Sequence, residues 1–354
     1  MGKDINELIS GVSSIIKDYR NLPDDIHADC IESVDKHVKK WISQFKQNDR
    51  EFVLRHTYNL LSKNYYSEVH YDKLLQGVAK NKNNHNLFRN DCFLSIQRRS
   101  GSQREVLEKL IGYVQNEINF LPQVIFLNDD FPDLSGFNYI TYFDDFSFSG
   151  KLIGDDIENF ISRLELNNVN IRIVVFLIHS HGFYSLRRRL DKFVKENNLN
   201  IKFKFNPLFW GRVENSISDN FSWNTSIYFP EESCCNEILD EKGLTGVELY
   251  TPGYFRVGSH DECILGNESD RRRIERIFSS IGFDIISNSL SPKKSMKPLG
   301  FSTYYGFGFG GNVFSYRNCP NNTPLVFWWG NYEETGNAAV DCWYPLMKRR
   351  GNHD

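Results

Sequence analysis

Apolar residues recur at helical spacing through the first eighty residues of the chain. Such stripes are typical of amphipathic helices that bury one face. We therefore predict four short helices, at 5–19, 26–45, 51–62 and 67–79. The polar run 81–86, which reads NKNNHN, interrupts the pattern and indicates a boundary. The sequence thus predicts an N-terminal helical region over 1–82 and a second region over 88–354.

The middle of the chain alternates between short apolar runs and amphipathic helical segments. The runs at 139–143, 171–178 and 201–205 are separated by segments with helical spacing. The run at 171–178 is almost continuously apolar, as expected of a strand that is buried on both faces. Further short strands are predicted at 92–97 and 124–127. This alternation predicts an α/β fold with a mostly parallel sheet flanked by helices.

The C-terminal part is aromatic-rich and is predicted to be an extension of the α/β domain. Its segment 304–311 reads YYGFGFGG, and no strand–helix unit follows it as a dinucleotide fingerprint requires. An aromatic hairpin with bulges, or a close backbone approach to a ligand, remains open. The turn that holds Asn321, Asn322 and Thr323 lies between two prolines. Such a rigid polar turn is suited to hydrogen-bonding a base or a partner chain.

Composition narrows the classes of protein. A net charge of −3 argues against a general nucleic-acid coat, although it leaves room for a local basic patch. The seven cysteines are scattered without a CxxC pair, which argues against a disulfide framework and a zinc ribbon. No signal peptide is visible, and the apolar run at 173–178 is far too short to cross a bilayer. We expect a soluble cytoplasmic protein with no membrane partner.

The stretch 139–155, which reads YITYFDDFSFSGKLIGD, carries the clearest candidate chemistry. Two adjacent carboxylates, Asp144 and Asp145, follow the predicted strand, at the edge where α/β sheets bind ligands. They are suited to hold ribose hydroxyls or the waters of a Mg²⁺ bound to a diphosphate. The small-residue turn that follows leads into a helix N-terminus, whose free amides and dipole favour a phosphate. The simpler alternative is an acidic strand end followed by an ordinary turn.

A second candidate anion site follows the strand at 92–97. Gly101 and two arginines lie in the loop, and Ser102 with Glu105 predicts a capping box at the start of the next helix. The alternative is that these arginines are simply solvated. The residues of this loop are Arg98, Arg99, Ser100, Gly101 and Ser102. Two histidines, His179 and His181, lie just past the buried strand, where they are either acid–base groups or hydrogen-bonded turn residues.

The aspartate motif resembles the signature of phosphoribosyltransferases: an apolar strand, two acids, three variable residues, Ser or Thr, Gly and often Lys. The resemblance implies that Asp144 and Asp145 hold the ribose hydroxyls of phosphoribosyl diphosphate, with Mg²⁺ as the expected ion. It also implies that the 5′-phosphate binds the loop Ser147, Phe148, Ser149, Gly150 and Lys151. The loop 98–102 would then bind the diphosphate. Two positions depart from the purine-type pattern: Phe148 stands where an acid is common, and Leu152 stands where a Thr is common.

The order of features along the chain is similar to the phosphoribosyltransferase-like family of bacterial conflict systems, often called PRTase-CE. The order is a helical N-terminus with WISQF, then FLSIQ, then the aspartate motif, and finally PNNTP with a tryptophan pair. This resemblance implies an effector of anti-phage defence that acts on a nucleotide or nucleic acid. It also implies partner proteins encoded nearby, such as an ATPase or, in retron-type modules, a reverse transcriptase.

Three functional readings remain open from the sequence. The first is an enzyme that transfers or cleaves a ribosyl-phosphate group. The second is a module that senses a nucleotide or holds a partner without turnover, as the changes at Phe148 and Leu152 allow. The third is a nucleic-acid-binding protein that uses the N-terminal helices and the run of arginines at 187–189.

Overall fold

A computed structural model describes the chain as two compact units. Contacts group Val69–Arg212 into one unit, here called the sheet unit, and Met1–Glu68 with Val213–Asp354 into the other, here called the aromatic unit. This grouping differs from the predicted division at 82–88, which stays a prediction about domain boundaries. The residues that the structure describes are 4–26, 30–97, 101–126, 134, 136–213, 224–225, 227–247, 249, 265–302 and 306–349.

The aromatic unit consists mainly of helices. Asp4 and Glu7 form a capping box that fixes the start of the first helix. Strand β1 (Tyr65–Tyr66) pairs in parallel with β8 (Phe314–Ser315), so that two distant segments of the chain meet. The described elements are α1 Ile5–Ile16, α2 Ile31–Ser43, a 3₁₀ turn Gln47–Asp49, α3 Arg50–Asn64, β1 Tyr65–Tyr66, β7 Asn224–Thr225, α9 Glu232–Lys242, α10 Glu268–Ser287, β8 Phe314–Ser315, α11 Leu325–Trp328 and α12 Ala338–Asp341.

Aromatic side chains fill the centre of this unit. The Trp41 ring lies 5.0 Å from that of Phe45 and 6.1 Å from that of Phe327, and the Trp41 indole donates to the carbonyl oxygen of Val326 at 2.9 Å. The suggested aromatic hairpin is wrong for the described residues 306–313, which include no strand. Gly310 instead approaches the protein's own backbone, because a Cβ there would lie 1.9 Å from the oxygen of Tyr228.

The sheet unit has an α/β architecture, as the sequence predicts. The three strands expected at 139–143, 171–178 and 201–205 are confirmed as β4 (Tyr139–Ser147), β5 (Asn170–His179) and β6 (Lys202–Val213) of one sheet. Its elements are α4 Glu68–Lys80, α5 Lys82–Asn90, β2 Asp91–Ser95, α6 Ser102–Ile118, β3 Val124–Phe126, β4 Tyr139–Ser147, α7 Lys151–Arg163, β5 Asn170–His179, α8 Ser180–Glu196 and β6 Lys202–Val213.

The strand order in this unit is β3-β2-β4-β5-β6, and β2 runs parallel to both β3 and β4. Strand β4 also runs parallel to β5. The chain therefore moves outward in one direction from β2 to β3 and in the other direction from β4 to β6. The place between β2 and β4 where the direction reverses is a topological switch point. Adjacent connections there leave the sheet on opposite sides, and the carboxyl ends of the two strands border a crevice. The fold thus points to the ends of β2 and β4 as the ligand edge.

Helices α7 and α8 pack on one face of this sheet. Ile153, Ile157 and Phe160 of α7 join Leu186 and Leu190 of α8 in an apolar cluster against the alternate residues of β4 and β5. This burial explains why the helical spacing in both segments is so regular. The expected polar break at 81–86 is wrong, because α5 covers it and Asn81 caps that helix through the amide of Asn83.

At the amino end of the strands a buried ion pair joins β2, β4 and β5. Arg172 Nε donates to Asp91 Oδ2 at 2.6 Å, and Thr141 Oγ1 donates to the same oxygen at 2.7 Å. The Arg172 guanidinium also lies 4.0 Å from the ring centre of Tyr139. These contacts fix the relative register of three strands, because each strand contributes one partner. No helix in the described parts of the chain has the length and apolar character needed to cross a bilayer.

Candidate functional site

Asp144 and Asp145 lie within β4 and not after it. The strand continues to Ser147, because Phe146 and Ser147 pair with Leu177 and Ile178 of β5. Both aspartates are buried, with 3% and 6% of their surface exposed. Neighbouring residues in a strand point to opposite faces of the sheet. The two carboxylates therefore serve two different environments and do not form one paired site.

Asp144 faces a hydrogen-bonded group that links β4, α7 and the segment after β2. The hydroxyl of Tyr142, two residues earlier on the same face, lies 3.4 Å from Asp144 Oδ2 and donates to Asp156 Oδ2 at 2.9 Å. Gln97 Nε2 donates to the same Asp156 oxygen at 3.0 Å. Burial raises the pKa of Asp156, and these two donors oppose part of that rise. The group thus holds a third carboxylate beside the switch point.

Asp145 is held from the other face by helix α4. The hydroxyl of Tyr71, which is fully buried, donates to Asp145 Oδ2 at 3.0 Å. The amide of Phe146 donates to Asp145 Oδ1 at 2.8 Å. Both oxygens therefore accept hydrogen bonds within the fold, although a carboxylate can accept further donors on its remaining lone pairs.

The predicted phosphate loop forms a tight turn between β4 and α7. Gly150 is the N-cap residue of α7 and has a φ of +71°, which favours glycine. The buried hydroxyl of Ser147 has no hydrogen-bond partner among the described residues. The Lys151 side chain is 68% exposed and pairs with Asp155 one turn along the helix. A small-residue turn with an unpartnered hydroxyl and a helix N-terminus is an arrangement that suits a phosphate.

Helix α8 packs against this loop at a second glycine, Gly182. A Cβ at Gly182 would lie 1.7 Å from the carbonyl oxygen of Phe148, and one at Gly150 would lie 2.7 Å from the Cβ of Leu186. The loop and the first turn of α8 therefore pack backbone against backbone. The helix start is itself fixed by His179, whose Nδ1 accepts from the amide of Gly182 at 3.2 Å.

This geometry supports the structural reading of His179. The ring is fully buried, and burial, with His181 adding to it, lowers the pKa of His179 to about 3. A histidine with that pKa is neutral near pH 7 and exchanges no proton there. His179 is therefore a capping residue of α8 and is unsuited to general acid–base chemistry.

The second predicted anion loop is described only in part. Arg98, Arg99 and Ser100 lie outside the described residues. Gly101 is the N-cap residue of α6, and the helix begins at Ser102. The predicted capping box is therefore wrong, since it requires Ser102 at the N-cap position. Because β2 and β4 are parallel neighbours, the loop that follows β2 starts at the same edge of the sheet as the turn after β4.

The predicted base-binding residues belong to the aromatic unit, whereas the aspartates belong to the sheet unit. The side-chain amide of Asn322 donates to the carbonyl oxygen of Phe301 at 2.9 Å, and the backbone oxygen of Asn321 accepts from the amide of Phe301 at 2.8 Å. Thr323 is fully buried, and its hydroxyl donates to the oxygen of Pro320 at 2.7 Å. Each residue of this turn thus has a structural hydrogen bond within its own unit, and its role toward a ligand stays a prediction.

A resident Mg²⁺ site does not fit the described residues. Among them, no group of three or more His, Cys, Asp or Glu side chains could hold a metal ion. Asp144 and Asp145 cannot share one ion, because they point to opposite faces of β4. A Mg²⁺ that arrives with a diphosphate needs only one or two protein carboxylates, so one aspartate could still meet it.

Four residues of this region escaped the sequence analysis: Tyr71, Gln97, Tyr142 and Asp156. Tyr71 and Gln97 act on the motif from elements that are distant in sequence. Tyr142 and Asp156 did carry a local signal. Tyr142 is two residues before Asp144 in a strand, and Asp156 lies in the second turn of α7, so both occupy positions that face the motif.

Comparison with known proteins gives one family match. A family model described as PRTase-CE matches residues 38–349, which cover most of the chain. No curated protein matches the chain.

Proposed function

Because the chain belongs to the PRTase-CE family, we propose that it binds a phosphoribosyl ligand at the switch point of its sheet. The ligand would be phosphoribosyl diphosphate or a nucleotide, and the protein would transfer or cleave its ribosyl-phosphate group. The observation that carries this proposal is the continuous unit β4–turn–α7. It combines two buried aspartates, an unpartnered Ser147 hydroxyl and Gly150 at a helix N-terminus.

Each part of this unit would contact a different part of the ligand. The amides at the start of α7 and the Ser147 hydroxyl would donate to the 5′-phosphate. Asp144 or Asp145 would accept from the ribose hydroxyls, and the loop 98–102 would hold the diphosphate through its arginines. In the reaction the bond from ribose C1 to its leaving group breaks, and an acceptor nucleotide, nucleic acid or water forms the new bond. The carboxylate that faces the ribose would stabilise the positive charge that develops on it.

Mg²⁺ enters this proposal as a companion of the ligand. Asp144 or Asp145 would meet it, and when bound it would supply positive charge that offsets the charge of the diphosphate. The protein residues would position the ribose and the phosphate in either case.

A specific observation favours the alternative of a nucleotide-sensing or partner-binding module without turnover. Phe148, at the position where an acid is common, is 8% exposed, and Leu152, at the position where a Thr is common, has no hydroxyl to offer a phosphate. Tyr71 already donates to Asp145. A site with these features would bind a ribose phosphate and lack a group to handle a base.

The biological setting that we propose is a bacterial anti-phage system in which this chain is the effector. Its partners would be proteins of a defence operon, such as an ATPase or a reverse transcriptase. Loss of phage protection or of toxicity in a variant that still folds would connect the site to this role.

The test is a titration with phosphoribosyl diphosphate, with and without Mg²⁺, followed by mass spectrometry of the products. We expect saturable binding in the wild-type protein and its loss in the variant Asp144→Asn/Asp145→Asn. The variant Asp191→Asn/Glu196→Gln is the matched control, because it removes two exposed carboxylates from α8 of the same unit. Equal binding by both variants would refute the site. Binding without any product would select the sensing module over the enzyme.

A further inference from the structure

Hydrogen bonds fix the carboxylate of Asp156 in place, but only one of its two oxygens accepts them from the described residues. Its Oδ2 accepts two hydrogen bonds, from Gln97, which follows β2, and from the fully buried Tyr142 of β4. Its Oδ1 has no hydrogen-bond partner among the described residues. Two donors on one oxygen hold the group in a single orientation, so the other oxygen is a preorganised acceptor.

Asp156 also borders a cavity of about 510 Å³. Binding sites for nucleotide-sized molecules fall within roughly 300–1,000 Å³. Ile96 and Phe160 contribute apolar atoms, and the remaining lining residues are polar. Among the described residues, the lining is formed by Ile96, Asp156, Asn159, Phe160, Ser162 and Arg163.

The polar lining residues form one stripe along α7. Asp156, Asn159 and Arg163 are spaced by three and four residues, so they share one side of the helix. Along this stripe an acceptor is followed by an amide, which both donates and accepts, and then by a cation. Asp156 and Arg163 are about 10 Å apart along the axis at the usual rise per residue. A mononucleotide spans such a distance from its base edge to its 5′-phosphate.

We propose that this cavity binds a nucleotide whose base carries an exocyclic amino group, with the amino group on Asp156 and the phosphate on Arg163. Asn159 would meet the ring nitrogen beside the amino group, since an amide supplies both a donor and an acceptor. The inference rests on the proposed function in one respect, which is that it assigns this nucleotide the role of acceptor or sensed ligand.

The cavity is connected to the ribose site by a short chain of contacts. The Tyr142 hydroxyl that donates to Asp156 also lies 3.4 Å from Asp144 Oδ2. A ligand that donates a hydrogen bond to Asp156 would reduce the negative charge on its oxygens and weaken the hydrogen bond from Tyr142. The Tyr142 hydroxyl would then turn toward Asp144. The two sites would therefore influence each other through a single side chain.

The test compares AMP with purine riboside 5′-monophosphate, which lacks only the exocyclic amino group. We expect the wild-type protein to bind AMP about tenfold to a hundredfold more tightly, the effect of one hydrogen bond to a charged group. In Asp156→Asn the side-chain oxygen would take the donors from Gln97 and Tyr142. Its NH₂ would then face the amino group, so the preference should disappear. Asp191→Asn, an exposed charge change in the same unit, should keep it.

A second variant guards against a folding defect in Asp156→Asn. Asn159 is exposed, so Asn159→Ala should leave the fold intact and weaken AMP binding severalfold. No AMP binding at millimolar concentration, or an unchanged preference in Asp156→Asn, would overturn the inference. A short oligonucleotide that ends in adenosine, titrated in parallel, distinguishes a strand terminus from a free nucleotide by which of the two binds more tightly.

The outcome is separable from that of the proposed function. Asp144→Asn/Asp145→Asn should lose phosphoribosyl diphosphate and retain AMP, because neither aspartate lines the cavity. If AMP binds equally to the wild-type protein and to Asp144→Asn/Asp145→Asn while phosphoribosyl diphosphate binds neither, the ribose site of the proposed function fails and the cavity assignment stands. If the reverse is found, only the cavity assignment fails.

Discussion

The close approach of α8 to the loop after β4 gives the sharpest test of the structure. In Gly182→Ala the added Cβ would lie 1.7 Å from the carbonyl oxygen of Phe148, whereas real Cβ contacts stay above 3.0 Å. The difference, 3.0 − 1.7, means that α8 and the loop must separate by about 1.3 Å. The opposing atom belongs to the backbone, so no side-chain rotation can relieve the overlap.

The energetic cost follows from this displacement. Overpacking of a tight contact costs about 1–3 kcal/mol. Replacing a helical glycine by alanine returns roughly 0.5–1 kcal/mol. We therefore expect Gly182→Ala to lower the free energy of unfolding by about 1–2 kcal/mol. A displacement of this size should also slow any reaction at the site, because misplacement of reacting groups by about 1 Å can cost two orders of magnitude in reaction rate.

The assay is urea unfolding followed by far-UV circular dichroism, with hydrogen exchange measured on peptides that cover 146–152. Gly112→Ala is the control, since nothing lies within 4 Å of a Cβ there and α6 should gain about 0.5–1 kcal/mol. A Gly182→Ala protein as stable as Gly112→Ala, with unchanged exchange in the loop, would contradict the described contact between α8 and the turn.

Three further results are expected. Asp91→Asn leaves Arg172 buried without its counter-charge and should lower the free energy of unfolding in urea by about 3–5 kcal/mol. Adding Arg172→Met should recover part of that loss. A double variant less stable than Asp91→Asn would contradict this prediction. Burial lowers the pKa of His56 in the folded protein to about 3. The contribution of the neutral ring to folding stability is therefore fully present above its unfolded pKa near 6.5 and is lost as the pH falls. Between pH 7 and 5, protonation of His56 in the unfolded state should lower the free energy of unfolding by about 2 kcal/mol. The variant His56→Gln should show a smaller dependence of this free energy on pH, and an unchanged dependence would refute the prediction. Ser147→Ala removes a hydroxyl without a partner and should leave stability unchanged, whereas Thr141→Val should cost about 1 kcal/mol or more, and thermal melts that rank them the other way would be inconsistent with these hydrogen bonds.

The sequence predicted the elements of the fold well where the apolar spacing was regular. Helices α1 to α4 and the sheet strands follow from that spacing. The end of β4 was missed because Asp144 and Asp145 suggest a loop, yet pairing of the next residues with β5 extends the strand. Helix α5 was missed because its asparagine-rich sequence has a low helix propensity, and cap and tertiary contacts override this.

The candidate site was predictable only in its local part. The turn around Gly150 follows from neighbouring residues, since a glycine before a helix is a short-range signal. The contacts of Tyr71 and Gln97 with the carboxylates join residues 74 and 59 positions apart. Periodicity and motif spacing carry no information about such pairs, because these patterns report on one element at a time.

The discontinuous aromatic unit has a consequence for how the protein is made. A ribosome releases the sheet unit, a continuous segment, while the second half of the aromatic unit is still untranslated. Helices α1 to α3 cannot complete their packing until the segment that carries Val326 and Phe327 has been synthesised, because Trp41 packs against it. During this interval their apolar stripes are exposed, and such surfaces attract chaperones and promote aggregation. Nonsense mutations late in the gene should therefore damage the first helices of the protein as severely as the last.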